Sequence, residues 1–194
     1  MKRFFSLILV FLSISFFVTA QDFSGEEDDF DEVYVYEANG AGDQFLKINL
    51  GALFPLNFKK QLKTGGIATI GYYRFITGNI ALGGELSATY NISIGDKTLV
   101  MIPMTFCVMY QPYVGNFEFP LYAGIGVSNE TWQNSEIFPT LVTKLSAGAF
   151  YRISDSISLG LSTDFFWIPQ WFKNPEKTFN GLFETAVIGL RYHF

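Results

Sequence analysis

The chain has 194 residues, a formal net charge of −5, and 49% hydrophobic and 18% aromatic residues. Once a leader is removed, that length fits a single domain of ordinary size. Cys107 is the single cysteine, so the sequence excludes an intramolecular disulfide as a source of stability.

The first twenty residues have the order of a secretory signal peptide. Lys2 and Arg3 precede an apolar run over residues 4–18, and small residues follow up to Ala20. This order predicts export and cleavage after Ala20. A retained membrane anchor is the alternative, but the run is shorter than the roughly 18 to 20 residues that a spanning helix needs.

Residues 21–43 form an acidic segment without lysine or arginine. Its nine carboxylates belong to Asp22, Glu26, Glu27, Asp28, Asp29, Asp31, Glu32, Glu37 and Asp43. A stretch this charged is unsuited to burying a core, so we expect it to be flexible. The rest of the chain has nine acids against eleven basic residues, since Lys2 and Arg3 belong to the leader. The body of the protein is therefore close to neutral.

From residue 44 onward, apolar and small polar residues alternate, which is typical of β-strands with two different faces. Eight strands are predicted: Phe45–Phe54, Gly66–Phe75, Ile80–Tyr90, Thr98–Tyr110, Phe117–Val127, Thr140–Tyr151, Ile157–Trp167 and Leu182–Phe194. The connections alternate between short (77–79, 111–116 and 154–156) and mostly longer (55–65, 91–97, 128–139 and 168–181). Residues 44–194 are therefore predicted to form an all-β, eight-stranded antiparallel up-and-down transmembrane β-barrel.

The polar face separates this prediction from a soluble, lipocalin-like barrel, which also has one apolar and one polar face. A water-facing exterior would be rich in charges, whereas the polar positions here are mainly Gly, Ser, Thr and Ala. Such small residues fit the narrow interior of an eight-stranded barrel. Aromatic residues near the strand ends are expected to form two interfacial girdles: Phe54, Tyr72, Tyr73, Phe75, Tyr90, Tyr110, Phe119, Tyr151, Trp167, Trp171 and Tyr192.

The signal peptide, the eight alternating strands and the closing segment ETAVIGLRYHF resemble the small outer-membrane β-barrel proteins, which include the OmpA membrane domain, OmpX and OmpW. In that family, a terminal aromatic residue preceded by alternate apolar residues is the signal for the barrel-assembly machinery. Ile188, Leu190, Tyr192 and Phe194 match that signal. Independently of the family, closing the barrel requires the last strand to pair with the first, since lipid cannot satisfy a bare strand edge.

Two prolines fall within the predicted strands. A proline removes one hydrogen bond from a closed ladder. We therefore predict that Pro120 lies near the periplasmic rim and that Pro103 lies at a bulge.

Charged residues on the interior face need partners, because the interior is confined. If the sixth and seventh strands pair across the turn at residues 153–155, Lys144 faces Asp164 directly. We predict that these two form an interior ion pair, and that Glu85 joins the same network or binds a loop lysine. The network can be interpreted as packing that fills the barrel or as part of a conduction path, and eight strands leave little lumen.

The first strand is predicted to enter from the periplasm, which places the acidic segment at the same mouth as Lys47, Arg191 and His193. These three residues are predicted to form a periplasmic basic rim. An acidic segment tethered beside a basic rim has a high local concentration and could dock there. The alternative is a solvated segment without a partner.

No catalytic, cofactor-binding or metal site is predicted. His193 is the one histidine and lies near the predicted periplasmic end, away from the outer rim. A serine with a histidine base is therefore not expected at the outer rim, and a second imidazole for a metal is lacking. Cys107 is expected to be a small interior group. An outer-membrane enzyme remains a third alternative, but the sequence identifies no constellation of carboxylates and hydroxyls for it.

The sequence favours a non-enzymatic outer-membrane protein with a structural, adhesive or interaction role through its extracellular loops. Trp171 and Phe172 are the best candidates for a loop contact surface. The expected partners are outer-membrane lipid, the barrel-assembly machinery during biogenesis, and a surface ligand or host protein, with no nucleic acid. The alternative function is a narrow pore or conduit for small or apolar solutes, as a likeness to OmpW implies.

Overall fold

The computed structural model describes residues 39–58, 62–132, 135–170 and 179–194. These residues lie within one compact unit, Tyr34–Phe194. No helix in this described part of the chain is long and apolar enough to cross a membrane. The predicted signal peptide, most of the acidic segment, and the loop residues Trp171 and Phe172 lie outside the described residues.

Eight long strands run through the described residues, and each is antiparallel to the next in chain order. They are β1 (Gln44–Pro55), β2 (Gly65–Phe75), β3 (Ile80–Ile92), β4 (Thr98–Tyr110), β5 (Leu121–Trp132), β6 (Ser135–Ser154), β7 (Ile157–Gln170) and β8 (Phe179–His193). β8 also pairs with β1, from Phe45 opposite His193 to Pro55 opposite Phe183. The sheet is therefore closed, and the predicted eight-stranded antiparallel barrel is confirmed.

The alternation in the sequence separates the exterior of the barrel from its interior. Along β1, Leu46, Ile48 and Leu50 are exposed on the outside, while Lys47 and Asn49 are buried inside. The other strands also expose apolar side chains outward, among them Ile70, Leu86, Met104, Phe106, Val108, Ile125, Leu145, Leu161, Ile188 and Leu190. Because exposing this much apolar surface to water is unfavourable, the exterior is suited to lipid.

Exposed aromatic residues gather at the end of the barrel that has the short turns, called here the short-turn end. They are Tyr72, Tyr110, Tyr113, Phe117, Phe119, Tyr151, Tyr192 and Phe194. The opposite end, called the long-loop end, exposes Phe54, Tyr90 and Phe165. The prediction was wrong for Tyr73 and Phe75, which are buried because the odd-numbered positions of β2 point inward.

The connection between β4 and β5 is a hairpin that extends the barrel wall at the short-turn end. Two short strands, Tyr113–Val114 and Phe117–Glu118, pair with each other in the register of β4 with β5. The second of them also pairs with β6. At the tip, Gly115 has a φ of 55°, the left-handed conformation that two-residue hairpin turns require. Pro120 interrupts this wall at the short-turn end, where the sequence placed it.

Pro103 lies within β4 and not at a bulge, so that prediction was wrong. The register of β3 with β4 is unchanged across it, from Leu86 opposite Met104 to Thr89 opposite Met101. A bulge lies instead between β5 and β6, where the register shifts after Ser128. Pro139 falls in this interval, and its missing N–H is a physical reason for the irregularity.

The prediction of a long loop at residues 128–139 was also wrong. β5 continues to Trp132 and β6 begins at Ser135, so most of that interval is strand. A bulge lets the pairing resume beyond an irregular position, which is why the hairpin extends further than the alternation of the sequence indicates.

Candidate functional site

The interior of the barrel is the candidate functional site, because the buried charged side chains converge there. Three layers follow one another from the long-loop end to the short-turn end. The first is an apolar cluster, the second is the interior charge network, and the third is a group of arginine, glutamate and aromatic side chains. Each layer is assembled from inward-facing residues of several strands.

Glu85 of β3 is the centre of the interior charge network. Its carboxylate accepts hydrogen bonds from Lys47, from Lys144 and from the hydroxyl of Tyr73. Lys144 Nζ also lies 3.1 Å from Asp164 Oδ1. The structure therefore brings together the three residues predicted for this network, and it adds Lys47 and Tyr73. Two buried cations and two buried anions balance each other.

The predicted register between β6 and β7 was wrong by two residues. Lys144 lies opposite Phe166, and Ser146 lies opposite Asp164. The shift arises at the turn, where the register changes between Arg152 and Ser154. Lys144 still reaches Asp164 because diagonal neighbours on paired strands lie within reach of a long side chain.

Lys47, Arg191 and His193 do not form a basic rim, so that prediction was wrong. Lys47 is 1% exposed, Arg191 is 0% exposed and His193 is 6% exposed. The side chains of these three residues point to the inside of the barrel, and they are buried there because the barrel is closed. Lys47 is paired with Glu85 and Arg191 is paired with Glu118, so these charges meet acids inside the barrel.

At the short-turn end, Glu118 joins two arginines. Its Oε1 lies 3.1 Å from Arg152 Nη1, and its Oε2 lies 3.2 Å from Arg191 Nη1. Arg191 also donates to Gln111 Oε1 at 2.8 Å and to the Tyr122 hydroxyl at 2.6 Å. We call these five residues the mouth cluster.

Glu118 and Arg152 are site residues that were not predicted from the sequence. Glu118 has the same parity as the inward-facing Tyr122, and Arg152 has the same parity as Lys144. The signal was therefore present in the alternation of the strands. Arg152 was overlooked because the predicted sixth strand ended at Tyr151, one residue before it, whereas Glu118 lay inside the predicted fifth strand and its parity was not used.

His193 lies between Arg152 and Ser158. Arg152 Nη1 is 3.2 Å from His193 Nδ1, and Ser158 Oγ is 3.0 Å from His193 Nε2. A guanidinium can only donate, so Nδ1 is the acceptor and Nε2 carries the proton. Because Nε2 then donates to Ser158, the histidine is not placed to take the proton of this serine.

Aromatic rings fill the space between the charge network and the mouth cluster. The rings of Phe45 and Tyr73 stack with their centres 5.1 Å apart. The guanidinium carbon of Arg191 lies 3.7 Å from the centre of the Phe150 ring, and Lys47 Nζ lies 4.3 Å from that of Tyr122. These cation–π contacts stabilise the buried charges and leave them packed against rings.

The apolar cluster fills the interior at the long-loop end. Its buried members are Leu53, Leu62, Ile67, Leu99, Met101, Val142, Phe166, Ile168, Phe183 and Val187. Phe58 packs against it, with its ring centre 4.9 Å from that of Phe183. Leu62 and Phe58 come from the β1–β2 connection, where Asn57 donates to the Asn180 carbonyl and accepts from the Leu182 N–H.

The residues of the predicted assembly signal lie on the outside of β8 and just beyond it. Ile188, Leu190, Tyr192 and Phe194 are 67%, 38%, 49% and 59% exposed. Phe194 N donates to the Gln44 carbonyl, so the last residue is tied to β1.

Cys107 is buried in the interior. Among the described residues, no group of three or more His, Cys, Asp or Glu side chains could hold a metal ion.

This chain forms a closed eight-stranded barrel with an apolar exterior and an ion-paired interior, and it therefore has the fold of the small outer-membrane β-barrels. Solved structures agree on this fold. Neisserial surface protein A is similar at a TM-score of 0.66 and 10% identity, over 79% of this chain and 99% of its own. OprG of Pseudomonas aeruginosa is similar at a TM-score of 0.51 and 12% identity, over 81% of this chain and 98% of its own. The N-terminal barrel of OprF from the same organism is similar at a TM-score of 0.50 and 12% identity, over 80% of this chain and 100% of its own.

One protein-family model matches residues 26–192, so the chain belongs to the family that this model describes. A curated relative is an uncharacterized protein of Treponema pallidum (strain Nichols), 28% identical over 84% of this chain and 82% of its own length. Another uncharacterized protein of the same organism is 23% identical over 65% of this chain. The chain spans about half, 48%, of that second relative.

Proposed function

We propose that this protein resides in a bacterial outer membrane as a filled, non-enzymatic barrel. Its role is structural, adhesive or interactive and is carried by the surface of the long-loop end. The observation that carries the proposal is the set of buried side chains that the described residues place inside the barrel, from the apolar cluster through the charge network to the mouth cluster. A barrel filled in this way offers a partner its ends and loops more readily than a lumen.

The surroundings of two interior groups, Ser158 and Cys107, support a non-enzymatic role. Ser158 accepts a hydrogen bond from His193 Nε2–H and does not donate one to it, and Cys107 is 0% exposed. A nucleophile needs an adjacent base and access to substrate. Neither of these groups has both.

The route to the membrane follows from the sequence pattern. We propose export with cleavage after Ala20, insertion by the barrel-assembly machinery through the segment that ends at Phe194, and contact of the apolar exterior with outer-membrane lipid. A surface ligand or a host protein is the partner proposed for the long-loop end, where Trp171 and Phe172 are the candidate contacts.

Epitope insertion in a bacterium with an outer membrane tests location and orientation together. A tag after Gly95, in the β3–β4 turn, marks the long-loop end, and a tag after Asp155, in the β6–β7 turn, marks the short-turn end. We expect antibody to label the first tag on intact cells and the second only after the outer membrane is permeabilised. Labelling of both tags, or of the second alone, on intact cells would contradict the proposal.

A second candidate function is a narrow conduit for apolar solutes, and the apolar cluster is the observation that favours it. Interiors of transmembrane barrels are generally polar, whereas this one is apolar at the long-loop end. Replacing Phe58 and Leu62 by alanine would empty part of that end. If the protein is a conduit, vesicles that contain the double variant should take up an apolar dye faster than vesicles that contain the wild type. Vesicles that contain Leu56→Ala, a change at an exposed neighbouring residue, should take up the dye at the wild-type rate.

A further inference from the structure

The lipid-facing surface of the barrel carries an isolated carboxylate, Glu184 of β8. Among the strand residues whose side chains the structure describes, Arg74 of β2 and Glu184 are the charged ones that point outward. Arg74 lies beside the short β2–β3 turn, whereas Glu184 lies toward the long-loop end. Hydrocarbon cannot solvate an isolated charge, so an outward carboxylate needs the headgroup region or a cationic partner.

The position of Glu184 on β8 places it at the depth of the lipid headgroups. It lies eight residues before Tyr192, an exposed aromatic residue of the short-turn end. At about 3.4 Å per residue and a strand tilt of about 35–45°, eight residues span roughly 20 Å along the barrel axis. The apolar band of such a barrel is about 25 Å tall between its aromatic girdles. Glu184 is therefore near the opposite edge of the band from Tyr192.

Aromatic side chains flank Glu184 on both neighbouring strands. Its pairing partners are Phe54 of β1 on one side and Phe165 of β7 on the other. Residues directly opposite on paired strands have Cβ atoms about 4.5–5.5 Å apart, so both rings are immediate neighbours of the carboxylate. Phe54 and Phe165 are 38% and 39% exposed, and Trp167, the next outward residue of β7, is half-buried. The carboxylate is thus set among three outward-facing rings.

The side chain of Glu184 makes no ion pair or hydrogen bond with any other residue that the structure describes. A carboxylate beside ring faces attracts a cation both by its charge and by the quadrupoles of the rings. A primary ammonium has three N–H donors that need acceptors, which ring faces do not supply. A quaternary ammonium has no donor to satisfy, and a group of aromatic rings is the usual way to bind it.

We propose that Glu184, Phe54, Phe165 and Trp167 bind the quaternary ammonium of a choline headgroup. We call these four residues the headgroup site. Its ligand is a phosphatidylcholine molecule in the leaflet at the long-loop end. The carboxylate balances the positive charge of the headgroup, and the rings contact its methyl groups. This inference goes beyond the role proposed for the loops, because the site lies on the barrel wall and its ligand is a membrane lipid.

Nuclear Overhauser effects (NOEs) between lipid and protein test the headgroup site directly. The mature chain is refolded in phosphatidylglycerol nanodiscs, and phosphatidylcholine with 13C-labelled choline methyl groups is titrated in. We expect isotope-filtered NOEs from these methyl groups to the ring protons of Phe54, which are assigned by their loss in Phe54→Leu. The NOE intensity against the phosphatidylcholine fraction gives an apparent affinity. Glu184→Gln should weaken this affinity by about tenfold, because the charge attraction is lost.

Two matched variants show whether the effects are specific to the headgroup site. Arg74→Gln removes the other outward charge, and Tyr90→Leu removes an exposed ring of the long-loop end on β3. Both should retain the wild-type NOEs and the wild-type affinity. Heat-modifiable migration in gel electrophoresis verifies that each variant is folded before the titration.

Three results would overturn the assignment. The first is an unchanged affinity in Glu184→Gln. The second is displacement of the labelled lipid by phosphatidylethanolamine as readily as by unlabelled phosphatidylcholine, since the site would then not select a quaternary ammonium. The third is loss of the NOEs on addition of EDTA, which would mean that a divalent cation bridges the carboxylate to a lipid phosphate.

Discussion

Replacing Glu85 with glutamine removes the carboxylate of β3 that binds side chains of three other strands, β1, β2 and β6. In the variant, Lys47 and Lys144 remain buried with Asp164 as the single nearby anion of the network. Removing one partner of a buried ion pair typically costs about 3–5 kcal/mol, because the other charge is left without compensation. Since Glu85 serves two lysines that are each 1% exposed, we expect a loss of unfolding free energy in this range.

Urea unfolding of the refolded chain in lipid vesicles, followed by tryptophan fluorescence, measures this loss. With a urea dependence of about 1–3 kcal/mol per molar, the midpoint should fall by roughly 1 M or more. Asp96→Asn is the control, because Asp96 is an exposed turn residue and asparagine tolerates its φ of 55°. A loss below about 1 kcal/mol for Glu85→Gln would refute the reasoning, since a surface change of this kind costs at most about 0.5 kcal/mol.

A double variant separates charge imbalance from a general packing defect. Lys47→Met with Glu85→Gln leaves the Lys144–Asp164 pair balanced and keeps an unbranched apolar side chain at position 47. We expect this double variant to be more stable than Glu85→Gln alone, because neutral replacement of a buried ion pair is often tolerated. Additive losses from the two changes would mean that the network is not electrostatically coupled.

The other predictions concern the barrel wall and its assembly. Leu50→Arg, at a lipid-facing position that is 67% exposed, should cost about 2–4 kcal/mol in bilayers, and an unchanged urea midpoint would show that this face is not in lipid. Gly126→Ala should cost about 1–3 kcal/mol, because its Cβ would lie 1.8 Å from the Met104 carbonyl oxygen. Gly84→Ala should unfold like the wild type, because its Cβ would lie at an ordinary contact distance of 3.9 Å from the Thr105 carbonyl oxygen. Phe194→Ser should lower the amount of folded barrel in cells without a comparable change in refolding in vitro, and equal losses in both assays would argue against a role in assembly.

The fold could be predicted because a membrane barrel imposes one strict rule on every strand. Lipid outside and a narrow interior inside require alternation, and the closing β8 shows it with Ile188, Leu190 and Tyr192 outward and Arg191 inward. The same rule identified Lys144, Asp164 and Glu85 as interior residues. Side-chain parity is local, so it can be read without knowing which strands pair.

Register and depth could not be predicted, because they depend on turns and bulges that alternation does not encode. The irregularity between Arg152 and Ser154 moved the β6–β7 pairing by two residues. Lys47 was expected near a rim, but its long side chain reaches Glu85 two strands away. Arg152 was missed because it lies one residue beyond the predicted strand end.

Planar-bilayer conductance of the refolded chain tests most directly the central claim that the interior is filled. Folding of the sample is first verified by its heat-modifiable migration in gel electrophoresis. With the apolar cluster, the charge network and the mouth cluster in place, we predict no steady single-channel steps above the lipid baseline. Reproducible steps from a verified folded sample would contradict the filled interior and would favour the conduit.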